Sequence, residues 1–179
     1  MRISILCLLI ALIGCGPSST QVKQAKEARY TGDKAAMFAA MKTALESGHY
    51  KVHDADDATL TLKTQVKWYN PDGTGSDVAE GDEKHIPDRA VSIVNVVQLL
   101  PDGDKWIVSV HQLMQRHFAG RPNNDVLTEE DPSVPGFAHD QADTIASMMH
   151  DALAQYEVKT VPQQVAPQSE PPPPSSGGY

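Results

Sequence analysis

The chain has 179 residues, 40% of them hydrophobic, and a formal net charge of −8. That acidity argues against binding a nucleic-acid backbone, which needs a clustered basic face, so no nucleic-acid partner is expected. The only two cysteines, Cys7 and Cys15, lie within the first fifteen residues. The remainder therefore holds no disulfide and no thiolate metal site, and must be stabilised by an apolar core.

Met1 and Arg2 precede an apolar run over residues 3–13 that only Ser4 interrupts. A membrane-spanning helix needs about 20 apolar residues, and this run is shorter. Gly14-Cys15-Gly16-Pro17 then stops a helix. A positive start, a short apolar stretch and a small-residue boundary follow the signal-peptide plan. At Leu12-Ile13-Gly14-Cys15 the sequence resembles the lipobox of bacterial lipoproteins, over the first twenty residues only. The resemblance implies a diacylglyceryl group on Cys15, cleavage between Gly14 and Cys15, and acylation of the new amine. Each buried CH₂ contributes about 0.8 kcal/mol to membrane binding, so several acyl chains hold firmly. Gly16, not Asp, follows Cys15. Within the lipoprotein family that implies the outer membrane, facing the periplasm. The expected organisation is a signal peptide (1–14), a lipidated N-terminus and tether (15–30), a folded domain (31–157) and a tail (158–179).

The tether opens with the small polar run "GPSST", and a weak helical turn is possible over 22–29. The first strong element is a helix over 33–47, with Asp33 as N-cap and a stripe of Met37, Phe38, Met41, Ala44 and Leu45. Gly48 should end it. A short strand follows at 49–53, then "DADD" at 54–57 reads as a turn. Residues 58–69 alternate, which predicts a half-buried strand. Leu60, Leu62, Thr64, Val66 and Trp68 share its inner face; Lys63, Gln65 and Lys67 face water. Residues 70–88 form a long acidic loop. The runs 89–100 and 105–118 flank "PDGD" and predict a hairpin, with Trp106, Val108, Val110, Gln112 and Met114 on one face. A polar loop covers 119–136. A second helix is expected over 138–156, with Ala142, Ile145, Met149, Ala152 and Tyr156 as its stripe and Met148 and Leu153 beside it. The tail is proline-rich and cannot bury a core, so disorder is expected there.

Helix, four strands, helix is an α+β order. It predicts a four-stranded antiparallel sheet with two helices packed on one face. On element order alone this is similar to the small α+β lipoproteins of envelope assembly, including the helix-grip domains of the barrel-assembly and lipopolysaccharide-assembly lipoproteins. No residue motif supports that similarity, so no functional residue follows from it.

Candidate chemistry is sparse. An EF-hand frame started at Asp72 puts Thr74, Ser76 and Glu83 at ligand positions, but Asp77 stands where the loop needs glycine. His111 and His117, six apart on one strand, are separated by roughly 20 Å and cannot share a metal. His139 and His150 are three helical turns apart, and His49 and His53 follow the end of a helix. There is no HExxH, no GxSxG and no glycine-rich phosphate loop. Trp68 and Trp106 read as a roof over the core, and Met37, Met41, Met148 and Met149 as helix core. The expectation is a membrane-anchored lipoprotein that is not an enzyme and has no cofactor. It would act as a binding or scaffold module in the bacterial envelope, held by lipid at Cys15 and meeting an envelope protein. The alternative is a small-ligand or metal binder using the 70–88 loop.

Overall fold

The computed structural model of the chain describes residues 16–76, 78 and 85–158. The expected signal segment (1–14), Cys15, residues 77 and 79–84 of the acidic loop and residues 159–179 lie outside the described residues. The fold is α+β, as expected, but the sheet has six antiparallel strands, not four, and three α-helices, not two.

The added helix, α1 (Ser19–Glu27), starts earlier than the weak turn expected at 22–29. Ser18 and Gln21 form a reciprocal capping box: Gln21 N–H donates to Ser18 Oγ at 3.3 Å, and Ser18 N–H donates to Gln21 Oε1 at 2.8 Å. Ala25 and Ala28 are buried. Small side chains let α1 approach a later helix closely, and they are too small to give a strong apolar stripe.

Helix α2 (Lys34–Ser47) starts where predicted, with Ala36 N–H donating to Asp33 Oδ1 at 2.8 Å. Met37, Phe38, Met41 and Leu45 are its buried stripe. Its end is a Schellman motif: His49 N–H donates to Glu46 O and Tyr50 N–H to Leu45 O. The left-handed residue is His49 (φ 65), not Gly48. Gly48 sits under the flexible end of Met148, whose Cε would lie 2.4 Å from a Cβ there.

Strand β1 (Val52–Asp56) runs through the "DADD" expected to turn. It is an edge strand whose aspartates face solvent, and Asp54 pairs with Lys63 at 3.2 Å. The turn comes later: Asp56 Oδ1 accepts from the N–H groups of Ala58 and Thr59. The strand expected over 58–69 is two strands, β2 (Thr61–Thr64) and β3 (Lys67–Tyr69). Both pair with β4 (Val91–Asp102). Lys63 is opposite Val96 and Lys67 is opposite Ile93, so four steps on one side match three on the other. The extra residue is a β-bulge, and a one-residue slip exchanges the faces. Leu62 faces the helices before the bulge; Lys67 and Tyr69 do so after it. Trp68 is therefore turned outward opposite Ser92, with its ring edge-on to His117 at 6.4 Å, and is not part of the roof.

The hairpin forms as predicted. β4 pairs with β5 (Lys105–Arg116) over twelve residue pairs, closed by a two-residue loop with Gly103 at φ 65. Trp106, Val108 and Val110 pack on the core, as does Met114 farther along the strand. The "polar loop" contains a three-residue strand, β6 (Asp125–Leu127), whose Leu127 is buried opposite Met114. Helix α3 (Gly136–Ala152) gives way to a 3-10 turn, Ala154–Tyr156, within the single helix expected to 156.

The strand order is β1-β2-β4-β5-β6, with β3 continuing β2's line along β4. Helices α2 and α3 cover one face. Tyr30 lies between β5 and the residue that follows the 3-10 turn, bridging Trp106 and Glu157. Two apolar clusters result. One gathers Met37, Met41, Leu45, Leu62, Val97, Leu99, Ile145 and Met149; the other gathers Tyr69, Val91, Ile93, Met114, Leu127 and Ala138.

Candidate functional site

Between the two clusters the helix-facing side of the sheet turns polar. The inward residues of β4 run Val91, Ile93, Asn95, Val97, Leu99, and those of β5 run Trp106, Val108, Val110, Gln112, Met114. Each apolar series is broken once, at Asn95 and Gln112, and the register sets these two opposite one another. Asn95 is 3% exposed, Gln112 7% and Thr64 on β2 4%. Buried amides need partners, because an unsatisfied one costs about 1–3 kcal/mol.

The partners are present. Gln112 Nε2 donates to Asn95 Oδ1 at 2.8 Å. Gln141, from α3, reaches down over both: its Oε1 lies 3.3 Å from Asn95 Nδ2 and 3.4 Å from Gln112 Nε2. Its Nε2 donates to the Tyr69 hydroxyl at 2.6 Å. Thr64 Oγ1 accepts the backbone N–H of Asn95 at 2.9 Å, the place where the bulge interrupts the ladder. On the other side Glu129 accepts the backbone N–H of Gln112 at 2.9 Å, in place of a strand partner at the sheet edge.

This seam opens into two clefts. The first, about 230 Å³, lies between α1, α3 and β5. Its walls include Ala25, Val108, Val110, Ala142 and Ala146, and its rim carries Glu129, His139 and the Lys26–Asp143 ion pair (2.8 Å). The second, about 300 Å³, lies between the end of α2, the bulge and α3. Thr64, Tyr69, Asn95 and Gln141 line it from the seam, with His49, Tyr50, Lys51 and Lys67 around them. Burial, and secondarily Tyr69, push the Tyr50 phenol above its usual range.

The residues singled out in the sequence lie elsewhere. Cys15 is outside the described residues, as are Asp77 and Glu83 of the calcium frame. Asp72 accepts from the N–H and hydroxyl of Thr74, so its carboxylate is held low by a local turn. Among the described residues no group of three or more His, Cys, Asp or Glu side chains can hold a metal ion. His117 bonds to Asn124 on the outer sheet face, and His49 and His139 stand in different clefts. Among the described residues no helix is long and apolar enough to cross a membrane. A scan against protein-family models gives no match to this chain, and a search of curated proteins finds no significant relative.

Proposed function

We propose that the chain is a lipid-anchored, non-catalytic binding module of the bacterial envelope. Cys15 carries the acyl groups, the outer membrane holds them, and the folded domain faces the periplasm. The observation that carries this reading is the sequence Leu12-Ile13-Gly14-Cys15 set directly before a capped helix: only Gly16 and Pro17 separate Cys15 from the Ser18 cap. The domain is thereby kept close to the headgroups, with its clefts as binding surfaces. The seam offers amides, a threonine hydroxyl and a phenol, groups that can hydrogen-bond a ligand. Changing Cys15 to Ala should abolish metabolic labelling by a clickable palmitate analogue and release the protein from the membrane fraction. Labelling that persists in Cys15→Ala would overturn the anchor.

A further inference from the structure

We propose that the second cleft is a site for a small oxyanion, a carboxylate or phosphate group borne by a compact molecule. The inference rests on the binding-module reading and names the ligand class of one of its clefts.

The floor of this cleft is rich in hydrogen-bond donors. Thr64 Oγ1 is occupied by the N–H of Asn95, and Tyr69 Oη by Gln141 Nε2. Asn95 Oδ1 accepts from Gln112, and Gln141 Oε1 faces the two amide nitrogens of Asn95 and Gln112. Each side-chain oxygen of the floor therefore already has a donor inside the seam. Hydrogens are left over. The Thr64 and Tyr69 hydroxyls each keep their own, and the Asn95 and Gln141 amides each have a second. Those hydrogens can serve an acceptor-only group, which a carboxylate or phosphate is.

The rim points the same way, independently of how those amides are oriented. Lys51 and Lys67 both line the cleft, and no described lining residue is acidic, in a chain of net charge −8. Neither lysine makes an ion pair among the described residues; Lys67 instead stands over the Tyr69 ring, 5.2 Å from its centroid. The bulge places Lys67 and Tyr69 on this side. A volume of about 300 Å³ limits the ligand to a small body.

The test uses the mature full-length chain in dodecyl maltoside at low ionic strength, followed by NMR of the Asn95 and Gln141 side-chain amides. Inorganic phosphate and succinate are the soluble probes. Vesicles of phosphatidylcholine with and without phosphatidylglycerol, mixed with detergent-free protein, test a lipid phosphate as the source. A saturable shift of both amides is expected, with at least about tenfold weaker binding in Lys51→Gln/Lys67→Gln and unchanged binding in Lys26→Gln at the other cleft. Shifts with the soluble probes assign a free anion; protection of the cleft only by phosphatidylglycerol vesicles assigns a headgroup. Amides that respond to neither source, or a double variant that binds like the wild type, would overturn the site. Acyl labelling on the same preparation is read separately, so an unlabelled chain that still binds the probes fails the anchor and keeps the cleft.

Discussion

Replacing Asn95 with Val tests whether the seam behaves as a mutually satisfied network. The substitution removes the acceptor of the 2.8 Å bond from Gln112 Nε2 and leaves that nitrogen only the 3.4 Å approach to Gln141. An unpaired buried amide costs about 1–3 kcal/mol, and valine's better fit to a central strand returns up to about 1 kcal/mol. The net loss should be about 1–2 kcal/mol. Gln112→Leu strands Asn95 Oδ1 and should cost about 1–3 kcal/mol. The double variant Asn95→Val/Gln112→Leu removes both ends together, so its cost should fall below the sum by about 1–2 kcal/mol. The assay is urea unfolding of the unacylated Cys15→Ala chain, where each single variant should lower the midpoint by roughly 0.5–1 M at constant slope. Additive singles, or an Asn95→Val midpoint that does not move, would refute the network.

Tyr30 is fully buried and its hydroxyl has no hydrogen-bond partner among the described residues, while burial, then Glu157 and Asp151, push its ionisation above the ordinary phenol range. A raised native pKa gives stability that is present below the unfolded value near 10 and lost as pH climbs through the native one. Tyr30→Phe should therefore match or exceed the wild type at pH 7 and lose less stability by pH 11; a clear loss at pH 7 would reveal a partner for the hydroxyl. His49 holds φ 65 at the end of α2, so His49→Gly should gain about 0.5–1 kcal/mol, read as a higher melting temperature, and no gain would mean the backbone there is unstrained. The Thr59 hydroxyl, followed by the N–H groups of Ala58 and Thr59, holds the Asp56 carboxyl below the usual aspartate range. A lowered native pKa gives stability that is present above about pH 4 and lost as pH falls through the native value. In Thr59→Val the Asp56 carboxyl should titrate higher by carbon-detected NMR and the acid loss should be shallower; an unchanged titration would remove Thr59 as the main cause.

The amphipathic elements could be read from the sequence because their periods are strong. The stripe of α2 and the paired runs about "PDGD" are examples, and the two-residue loop sets the whole register of β4 on β5. That register already places Asn95 opposite Gln112, so half of the seam was implied by the turn. Gln141 was also within reach: it lies four residues before Ile145, on α3's buried side. What periodicity could not supply was the bulge. Val66 and Trp68 continue the apolar alternation of Leu60 and Leu62, so nothing in hydropathy marks the point where the faces exchange. The decisive contacts are Thr64 Oγ1 taking a ladder bond and Gln65 N–H turning to Lys51 O, both made by neighbours distant in sequence. The short elements escaped for a related reason. Two of β6's three residues face solvent, and α1 buries alanines, so neither presents a run of large apolar side chains.

The bulge also explains why a polar seam persists in a core that hydrophobic residues would fill at less risk. With an unbroken strand, the alternation that puts Leu62 inward would carry Lys67 and Tyr69 to the outer face. Gln141 would lose its phenol partner, and the second cleft would lose one of its two ammonium groups. The extra residue turns both inward and leaves one ladder position vacant at Asn95, which the Thr64 hydroxyl fills. Asn95 then needs side-chain partners, which Gln112 and Gln141 provide. Seam and cleft are thus coupled through one backbone irregularity. A substitution that restores a continuous strand should abolish both together, whereas Lys67→Gln should weaken the cleft and leave the seam's stability in place.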